Sequence, residues 1–354
     1  MPSVAIIGAG VAGLGAARVL SKSNVEFRVF EKSRGVSGRA ASRTVEGVRF
    51  DHGANYFKLD AGENAVRKLV LEELPTDDLI EIPGSVWTFD GSGSLSPGDP
   101  ALNAEPKYNY RGGISTLGKL LAYPLQSKIE FKTRVARVSQ RESRWELFEV
   151  DGRSLGSFDR ILFTCPSPQA MTIMQDSELY RELQEEFIGC LSAARYHRQF
   201  TFVMAFDREI SRPDGMHAAL NVDGKHDVSW LAFENDKEGH VPGDQTVVVV
   251  QMSPTWSDVR FDEPKEEQLE TVGQSVAALL GIDLPAPLWV DRQRWGFAHP
   301  FSNLDRERLR SFESSGLFVA GDGLVGKGRV HLALASGLEA GEALARSCAE
   351  MSKI

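Results

Sequence analysis

Hydrophobic positions at the start of the chain form two short runs with a glycine-rich turn between them. Residues 4–7 (VAII) are apolar throughout, a pattern typical of a parallel strand that is covered on both faces. Residues 12–20 then repeat apolar positions with helical periodicity, and residues 26–32 (EFRVFEK) return to a strand pattern. This order of elements predicts a βαβ unit.

The far end of the chain repeats part of this pattern. Residues 316–322 (GLFVAGD) have the apolar character of a buried strand, and residues 329–349 predict a long helix with small residues on one face. Because small side chains permit close approach, we expect this helix to lie against a sheet or a ligand.

The residues between these two ends follow a different pattern. Segment 84–107 is rich in Gly, Ser and Pro and is predicted to form loops. We therefore predict an α/β fold in which a nucleotide-binding domain is built from chain-distant pieces and a mixed-sheet α+β domain is inserted between them. Within the insertion, strands are predicted at 198–206, 227–234 and 245–252, and helices at 178–190 and 266–280.

The composition restricts the possible binding partners more than it restricts the fold class. The 354 residues are 42% hydrophobic and 25% charged with a formal net charge of −9, which is typical of a globular protein and disfavours nonspecific nucleic-acid binding. No apolar run reaches the roughly 18 residues of a membrane span. The three cysteines are widely spaced, so we expect neither a disulfide framework nor a metal site. The start of the sequence resembles no secretion signal, which predicts a cytoplasmic protein without membrane partners.

Three glycines in the first turn have the spacing of a dinucleotide-binding fingerprint. Gly8 would allow the tight turn, Gly10 the approach of a pyrophosphate and Gly13 close helix packing. Glu31 ends the second strand about 20 residues later, where an acid can accept hydrogen bonds from a ribose diol. The alternative is a chance glycine turn beside a solvated glutamate.

A second glycine-rich turn, "KSRGVSGRAASR", follows the second strand. A dehydrogenase that binds only a nicotinamide cofactor needs no such turn here, so the pattern favours a resident dinucleotide. Gly38 would allow close approach, and Arg39 would form a charge-assisted bond to the pyrophosphate. The alternative is a solvated basic loop.

A third candidate anchor lies in the C-terminal part of the chain. Gly321 and Asp322 end the last predicted strand and would place a carboxylate near the sugar or phosphate chain of the dinucleotide. The next helix begins around Val330 to Leu332, and its partial positive charge would stabilise an anion that forms on the ligand. The alternative is a simple turn.

Several segments together resemble the renalase branch of the flavin-containing amine oxidase superfamily, along nearly the whole chain. They are "AIIGAGVAGLGAARVL", "VFEKSRGVSGRAASR", "FDHGANYF", "RWGFAHP" and "GLFVAGD" with "LASGLEAG". The combination of DxGAxYF and RWxxAxP is the more specific part. The resemblance implies an amine oxidase-like two-domain fold, with a Rossmann-type FAD-binding domain and an inserted substrate domain. It places the FAD-binding domain at 1–60, 105–170 and 300–354, and the substrate domain at 61–104 and 171–299.

The resemblance also implies which residues touch FAD. Val135 would meet the adenine through its backbone, and Asn55, Tyr56 and Phe57 would lie beside the isoalloxazine ring. No cysteine lies within 324–331, so the flavin is expected to be held non-covalently. The full predicted set is Gly8, Gly10, Gly13, Glu31, Lys32, Gly38, Arg39, Asn55, Tyr56, Phe57, Val135, Gly321, Asp322, Val330, His331 and Leu332.

Two positions depart from the family pattern. Ser37 stands where the second turn of relatives usually has a glycine, which predicts a less intimate backbone approach to the cofactor. His331 stands where relatives commonly place a glutamate, which changes the expected charge beside the flavin.

The expected chemistry is hydride removal from a donor held over the flavin. Such a reaction depends on positioning and exclusion of water, which agrees with the lack of a Ser/His/Asp cluster or a paired-carboxylate motif. Trp295, Tyr56 and Phe297 are the predicted catalytic side chains, forming an aromatic cage for an amine or a flat slot for a dihydronicotinamide ring. The resemblance implies the second: oxidation of 2- or 6-dihydro isomers of NAD(P), with O2 as acceptor and H2O2 as product. The alternatives are a small-molecule amine or amino-acid oxidase, and a non-catalytic flavin-binding redox sensor or scaffold.

Overall fold

A computed structural model describes residues 1–59 and 64–351 of the chain. Its strands are β1 (Ser3–Ile7), β2 (Glu26–Glu31), β3 (Ser42–Val45), β4 (Val48–Asp51), β5 (Leu79–Glu81), β6 (Ser85–Phe89), β7 (Tyr108–Tyr110), β8 (Ile129–Phe131), β9 (Val135–Arg141), β10 (Arg144–Glu149), β11 (Ser154–Phe158), β12 (Arg160–Phe163), β13 (Gln199–Phe206), β14 (Met216–Asn221), β15 (Val228–Phe233), β16 (Thr246–Met252), β17 (Trp289–Trp295) and β18 (Leu317–Val319). Its α-helices are α1 (Val11–Leu20), α2 (Ala65–Lys68), α3 (Pro100–Ala104), α4 (Ser115–Ala122), α5 (Ser167–Gln175), α6 (Arg181–Leu191), α7 (Pro254–Val259), α8 (Lys265–Leu280), α9 (Arg306–Arg310) and α10 (Val330–Met351).

The glycine-rich turn follows β1, the central strand of a five-stranded parallel sheet with the order β18-β12-β1-β2-β8. Val4, Ala5 and Ile6 in its central strand are fully buried because the sheet is covered on both faces. The predicted βαβ unit is confirmed, and β18 brings the C-terminal part of the chain to the same sheet.

Helix α10 packs directly on α1, and small residues make this possible. A Cβ on Gly337 would fall 2.0 Å from the Ala12 carbonyl oxygen, and one on Gly341 would fall 2.8 Å from Val19 Cβ. The close approach is as predicted, but the partner at these glycines is helix α1, whereas the prediction named a sheet or a ligand.

The middle of the chain forms a six-stranded mixed sheet with the order β17-β13-β16-β15-β14-β6. Its predicted strands and the two predicted helices of this region are confirmed. The expectation that 84–107 forms only loops is wrong. Strand β6 pairs in parallel with β14, and α3 begins where Asp99 accepts a hydrogen bond from Ala101 N.

The hairpin β3–β4 packs against the six-stranded sheet. Val48 and Phe50 pack with residues of β13 and β16, and Arg43 Nη1 lies 2.8 and 2.6 Å from the Asp291 carboxylate oxygens. The residue ranges given above for the two domains stay a prediction, and their boundary between 60 and 61 lies outside the described residues. In the described part of the chain, no helix is both long enough and apolar enough to span a membrane.

Candidate functional site

In the first glycine turn, Gly10 borders open space, whereas Gly13 is closely packed. Gly8 has a φ of +110°, a conformation that suits glycine, and a Cβ on Gly13 would fall 2.1 Å from the Gly8 carbonyl oxygen. By contrast, a Cβ on Gly10 would meet no protein atom within 4 Å. The turn therefore has open space at the N-terminus of α1, where a helix binds anions best.

Glu31 lies beside this turn at the end of β2. Its carboxylate accepts hydrogen bonds from Ala9 N and Ser33 N, both at 2.8 Å, and the residue is 8% exposed. Thr133 N donates to the Glu31 carbonyl oxygen, which brings the start of β9, with Val135, near the same acid. Lys32 points away into solvent.

The second glycine turn rests on the first. Ser37 N donates to the Ala9 carbonyl oxygen, and a Cβ on Gly38 would fall 3.2 Å from Gly10 Cα. Both residues have positive φ, +84° at Ser37 and +60° at Gly38. The two turns are therefore in contact, and Ser37 adopts the backbone conformation that a glycine would prefer.

Arg39 forms an ion pair with Asp322. The guanidinium lies 2.8 Å from both carboxylate oxygens, and Nη1 also donates to the Ala298 carbonyl oxygen at 3.0 Å. Tyr196 Oη donates to the same carboxylate at 3.2 Å. Arg39 and Asp322, both predicted to bind the cofactor, thus contact each other. Arg39 also connects this pair to the segment that follows β17.

The start of α10 forms the third part of the site. Gly321 has a φ of +120°, and its N–H donates to the buried Ser336 hydroxyl. Val330 is buried, whereas His331 and Leu332 border a cleft of about 200 Å³ between α10 and α2.

The three predicted ring contacts have different surroundings. Asn55 is buried, and its Nδ2 donates to the Asp51 carbonyl oxygen at 2.9 Å. Tyr56 is half-buried and packs on Trp230, with ring centroids 5.9 Å apart. The Phe57 ring is 2% exposed and packs in the core with two tyrosines, and its backbone N–H and carbonyl groups pair with those of Tyr108.

Trp295 and Phe297 also have partners of their own. Trp295 stacks on His52, with ring centroids 5.5 Å apart, and its Nε1 donates to the His52 carbonyl oxygen. Phe297 meets Tyr196 edge to face. Among the described residues no ring contact joins Tyr56 to Trp295 or to Phe297. The three predicted catalytic side chains therefore belong to three separate aromatic pairs.

The titratable groups beside these rings are not poised to exchange protons at neutral pH. Burial lowers the pKa of His52 to about 4, and burial together with the neighbouring His197 and Arg329 lowers the pKa of His299 to about 4. Burial raises the pKa of Tyr56, although the positive charge of Arg329 opposes this shift. Both histidines are neutral and Tyr56 stays protonated at pH 7.

Sequence reasoning missed several side chains that the fold brings to this region. Trp230, Tyr196 and Asp51 are the clearest examples. Trp230 is half-buried in β15 and contacts Tyr56. Asp51 belongs to the DxGAxYF motif, but its contacts, like those of Tyr196, join residues far apart in the chain and could not be predicted from local sequence.

Comparisons with known proteins agree with this architecture. Residues 6–74 match the NAD(P)-binding Rossmann-like domain, and residues 80–345 match the flavin containing amine oxidoreductase family. Because the second match covers most of the chain, the protein belongs to the flavin containing amine oxidoreductase family.

Individual relatives extend this comparison. Over 200 residues the chain is 30% identical to "Putative flavin-containing monoamine oxidase AofH" of Mycobacterium tuberculosis, a match that covers 55% of this chain and 40% of that protein. The chain thus matches less than half of the length of this curated relative. Similar folds occur in "Putative protoporphyrinogen oxidase" from Exiguobacterium sp. 255-15 (TM-score 0.75, 16% identity, 98% and 99% of the two chains) and in cyclohexylamine oxidase from Brevibacterium oxydans IH-35A (TM-score 0.72, 14% identity, 100% of both).

Family membership implies FAD as the cofactor, and the residues present fit it. Gly10 leaves open space at a helix N-terminus, and Glu31 places a buried acid beside that space. In addition, Asn55 Oδ1 is buried and accepts no hydrogen bond from the described residues. This oxygen is therefore available to a hydrogen-bond donor on a ligand.

Proposed function

We propose that the chain is an FAD-dependent oxidoreductase that removes a hydride from a small-molecule donor and passes the electrons to O2, giving H2O2. The observation that carries this proposal is the open space at Gly10, bordered by the buried Glu31 and by the second glycine turn. FAD, when bound, supplies the two-electron acceptor.

In this proposal the chain's own residues divide the work of holding the cofactor. The first glycine turn and the N-terminus of α1 hold the pyrophosphate, and Glu31 accepts hydrogen bonds from a ribose. Asp322 and Arg39 neutralise each other as an ion pair that borders the proposed cofactor site. The lack of a cysteine within 324–331 supports a non-covalent cofactor.

For the donor we propose a 2- or 6-dihydro isomer of NAD(P), as in renalase-like proteins. Half-buried aromatic side chains, with Tyr56 and Trp230 in contact, offer flat surfaces for a dihydronicotinamide ring. The exposed Arg329 adds a positive charge close to Tyr56 and His299, which suits a donor that carries phosphates. No proton-abstracting group is needed, because losing a hydride makes the nicotinamide ring aromatic.

A small-molecule amine is the second candidate donor. The family match and the name of the cyclohexylamine oxidase with a similar fold favour it. An amine must lose a proton before it gives up a hydride, so the two donors differ in how their reaction depends on pH.

Anaerobic mixing of the flavin-loaded protein with a donor panel tests the proposal. The panel holds the 2- and 6-dihydro isomers, ordinary NADH, and primary and secondary amines, and the measurement is the rate at which flavin absorbance is lost. We expect rapid loss with at least one isomer and slow loss with NADH. Rapid loss with an amine and none with the isomers would replace the donor, and no loss with any compound would favour a sensor or scaffold.

The pH profile and one matched pair of variants sharpen this test. With His52 and His299 neutral and Tyr56 protonated from pH 6 to 8, the rate with a dihydro isomer should be flat over this range. The rate with an amine should rise with pH as the free amine fraction grows. Tyr56→Ala should slow the reaction about 10-fold or more by removing the ring surface, whereas Tyr56→Phe, which keeps the ring, should not.

A further inference from the structure

A fully buried cluster of four charged side chains lies beneath the loop that carries Asn55 and Tyr56. Asp51, Glu234, Lys237 and His240 each have 0% side-chain exposure. Lys237 Nζ lies 2.9 Å from Asp51 Oδ2 and 2.6 Å from Glu234 Oε1. His240 faces a Glu234 oxygen at Nδ1 and the Tyr110 carbonyl oxygen at Nε2. Because the Tyr110 carbonyl oxygen only accepts, the imidazole donates to it from Nε2.

The cluster contains the ligand types of a metal site, but a lysine provides the cation. Ligand atoms of Asp51, Glu234 and His240 lie within 4.8 Å of one another. The ammonium of Lys237 contacts both carboxylates directly. Lys237 is therefore the counter-ion that allows two carboxylates to be buried together.

Hydrogen bonds connect Asp51 of this cluster to Asn55. The Asp51 carbonyl oxygen accepts from Asn55 Nδ2. Asn109 Nδ2 donates both to Asp51 Oδ2 at 2.8 Å and to the Asn55 carbonyl oxygen at 2.7 Å. The side chain of Asn55 is thus oriented by the main-chain carbonyl of Asp51, and its main chain by Asn109, which also donates to the Asp51 carboxylate that Lys237 holds.

The orientation of the Asn55 amide follows from these contacts. Nδ2 must face the Asp51 carbonyl oxygen, which can only accept, so Oδ1 points the other way. That oxygen is buried and accepts no hydrogen bond from any described residue. An N–H donor would satisfy it, and the isoalloxazine ring carries one.

We infer that Lys237 is a positioning residue that, through Asp51, holds the Asn55 amide oxygen toward the flavin. This inference rests on the proposed FAD site. Lys237 touches neither cofactor nor donor in this assignment, and its contribution is to keep Asp51 and Asn55 in one arrangement. Loss of the ammonium would leave two buried carboxylates facing each other, and the loop would move to separate them.

A double-mutant cycle on FAD affinity tests the inference. Lys237→Met combined with Glu234→Gln removes the ion pair by taking away one positive and one negative charge together, and Asn55→Ala removes the amide. Each change should raise the FAD dissociation constant of the apoprotein about 10-fold, measured by flavin fluorescence. All three substitutions together should weaken binding no further than one change alone, because the ion pair acts through the amide. The visible circular dichroism of the bound flavin should change equally in all of these variants.

His217→Asn is the matched control. His217 is also fully buried and faces the acid Asp236, but among the described residues it makes no hydrogen bond to Lys237, Asp51 or Asn55. This variant should lower the unfolding midpoint and leave FAD affinity and flavin dichroism unchanged. If the Lys237 pair does not fold, Asn109→Leu breaks the second connection without changing any charge and should show the same coupling to Asn55→Ala.

The outcomes separate this inference from the proposed function. If the wild-type protein binds no FAD, both are wrong. If it binds FAD but the effects of the ion pair and of Asn55→Ala multiply, or the ion-pair variant keeps wild-type affinity, then Lys237 has only a structural role.

Discussion

Ser37 has a backbone conformation that costs free energy. Its φ is +84°, its hydroxyl is buried without a hydrogen-bond partner, and its Cβ region presses against Gly118, where a Cβ would fall 2.5 Å from Ser37 Cβ. A left-handed conformation costs a non-glycine residue on the order of 1–3 kcal/mol. The turn keeps this conformation because Ser37 N bonds to Ala9 beside the predicted pyrophosphate position. The strain is therefore located at the cofactor site.

Ser37→Gly should increase the free energy of unfolding by about 1 kcal/mol. Glycine removes both the strain and the unsatisfied hydroxyl, and these gains exceed the added freedom of the unfolded chain. Denaturant unfolding of the apoprotein measures the change. Ser37→Ala is the control, since it removes only the hydroxyl and should gain less. A loss of stability in Ser37→Gly would contradict this interpretation of the strain.

At the scale of elements, the contact between α1 and α10 fixes the position of the glycine turn. Gly337→Ala should lower the free energy of unfolding by about 1–3 kcal/mol, because its Cβ would lie 2.0 Å from the Ala12 carbonyl oxygen and force the helices apart. FAD affinity should fall with it, since Gly10 is the N-cap residue of α1. Thermal unfolding and flavin titration provide the two measurements.

Gly273→Ala in α8 is the matched control for this substitution. A Cβ there meets nothing within 4 Å, so the helix should gain about 0.5–1 kcal/mol from the better helix former. Equal effects of the two substitutions would mean that the α1–α10 contact tolerates separation.

Elements with a strong local pattern could be predicted, and those that depend on distant partners could not. Strand β13 is buried along its whole length and was visible as an apolar run. Strand β6 is mostly half-buried, lies at the sheet edge and follows a glycine, so its sequence (SVWTF) lacks both alternation and length. Its pairing partner β14 comes far later in the chain. The Gly, Ser and Pro residues around β6 therefore led to the prediction of loops in this segment.

At the scale of the whole molecule, the candidate site lies where chain-distant segments meet. Arg39 joins the second glycine turn to Ala298 and to Asp322, and Gln251 of the six-stranded sheet donates to the Gly53 carbonyl oxygen. Binding of FAD between these segments should therefore stabilise both sheets at once.

The same geometry explains which parts of the site the sequence could predict. Gly8, Gly10 and Glu31 lie in one βαβ unit, so spacing alone placed them together. The pairing of Arg39 with Asp322 and the burial of Lys237 beside Asp51 join residues more than 180 positions apart. No local pattern encodes such contacts, and the separation of Tyr56, Trp295 and Phe297 into three aromatic pairs was hidden for the same reason.

The FAD dissociation constant of Gly10→Ala tests the proposed cofactor site most directly. Gly10 has a φ of −72°, which alanine adopts freely, and the added methyl meets no protein atom within 4 Å. The apoprotein should therefore unfold at the wild-type temperature, while the methyl group occupies the space of the pyrophosphate and raises the dissociation constant about 10-fold or more. Wild-type FAD affinity in a normally folded Gly10→Ala protein would contradict the proposal that the first glycine turn holds the cofactor.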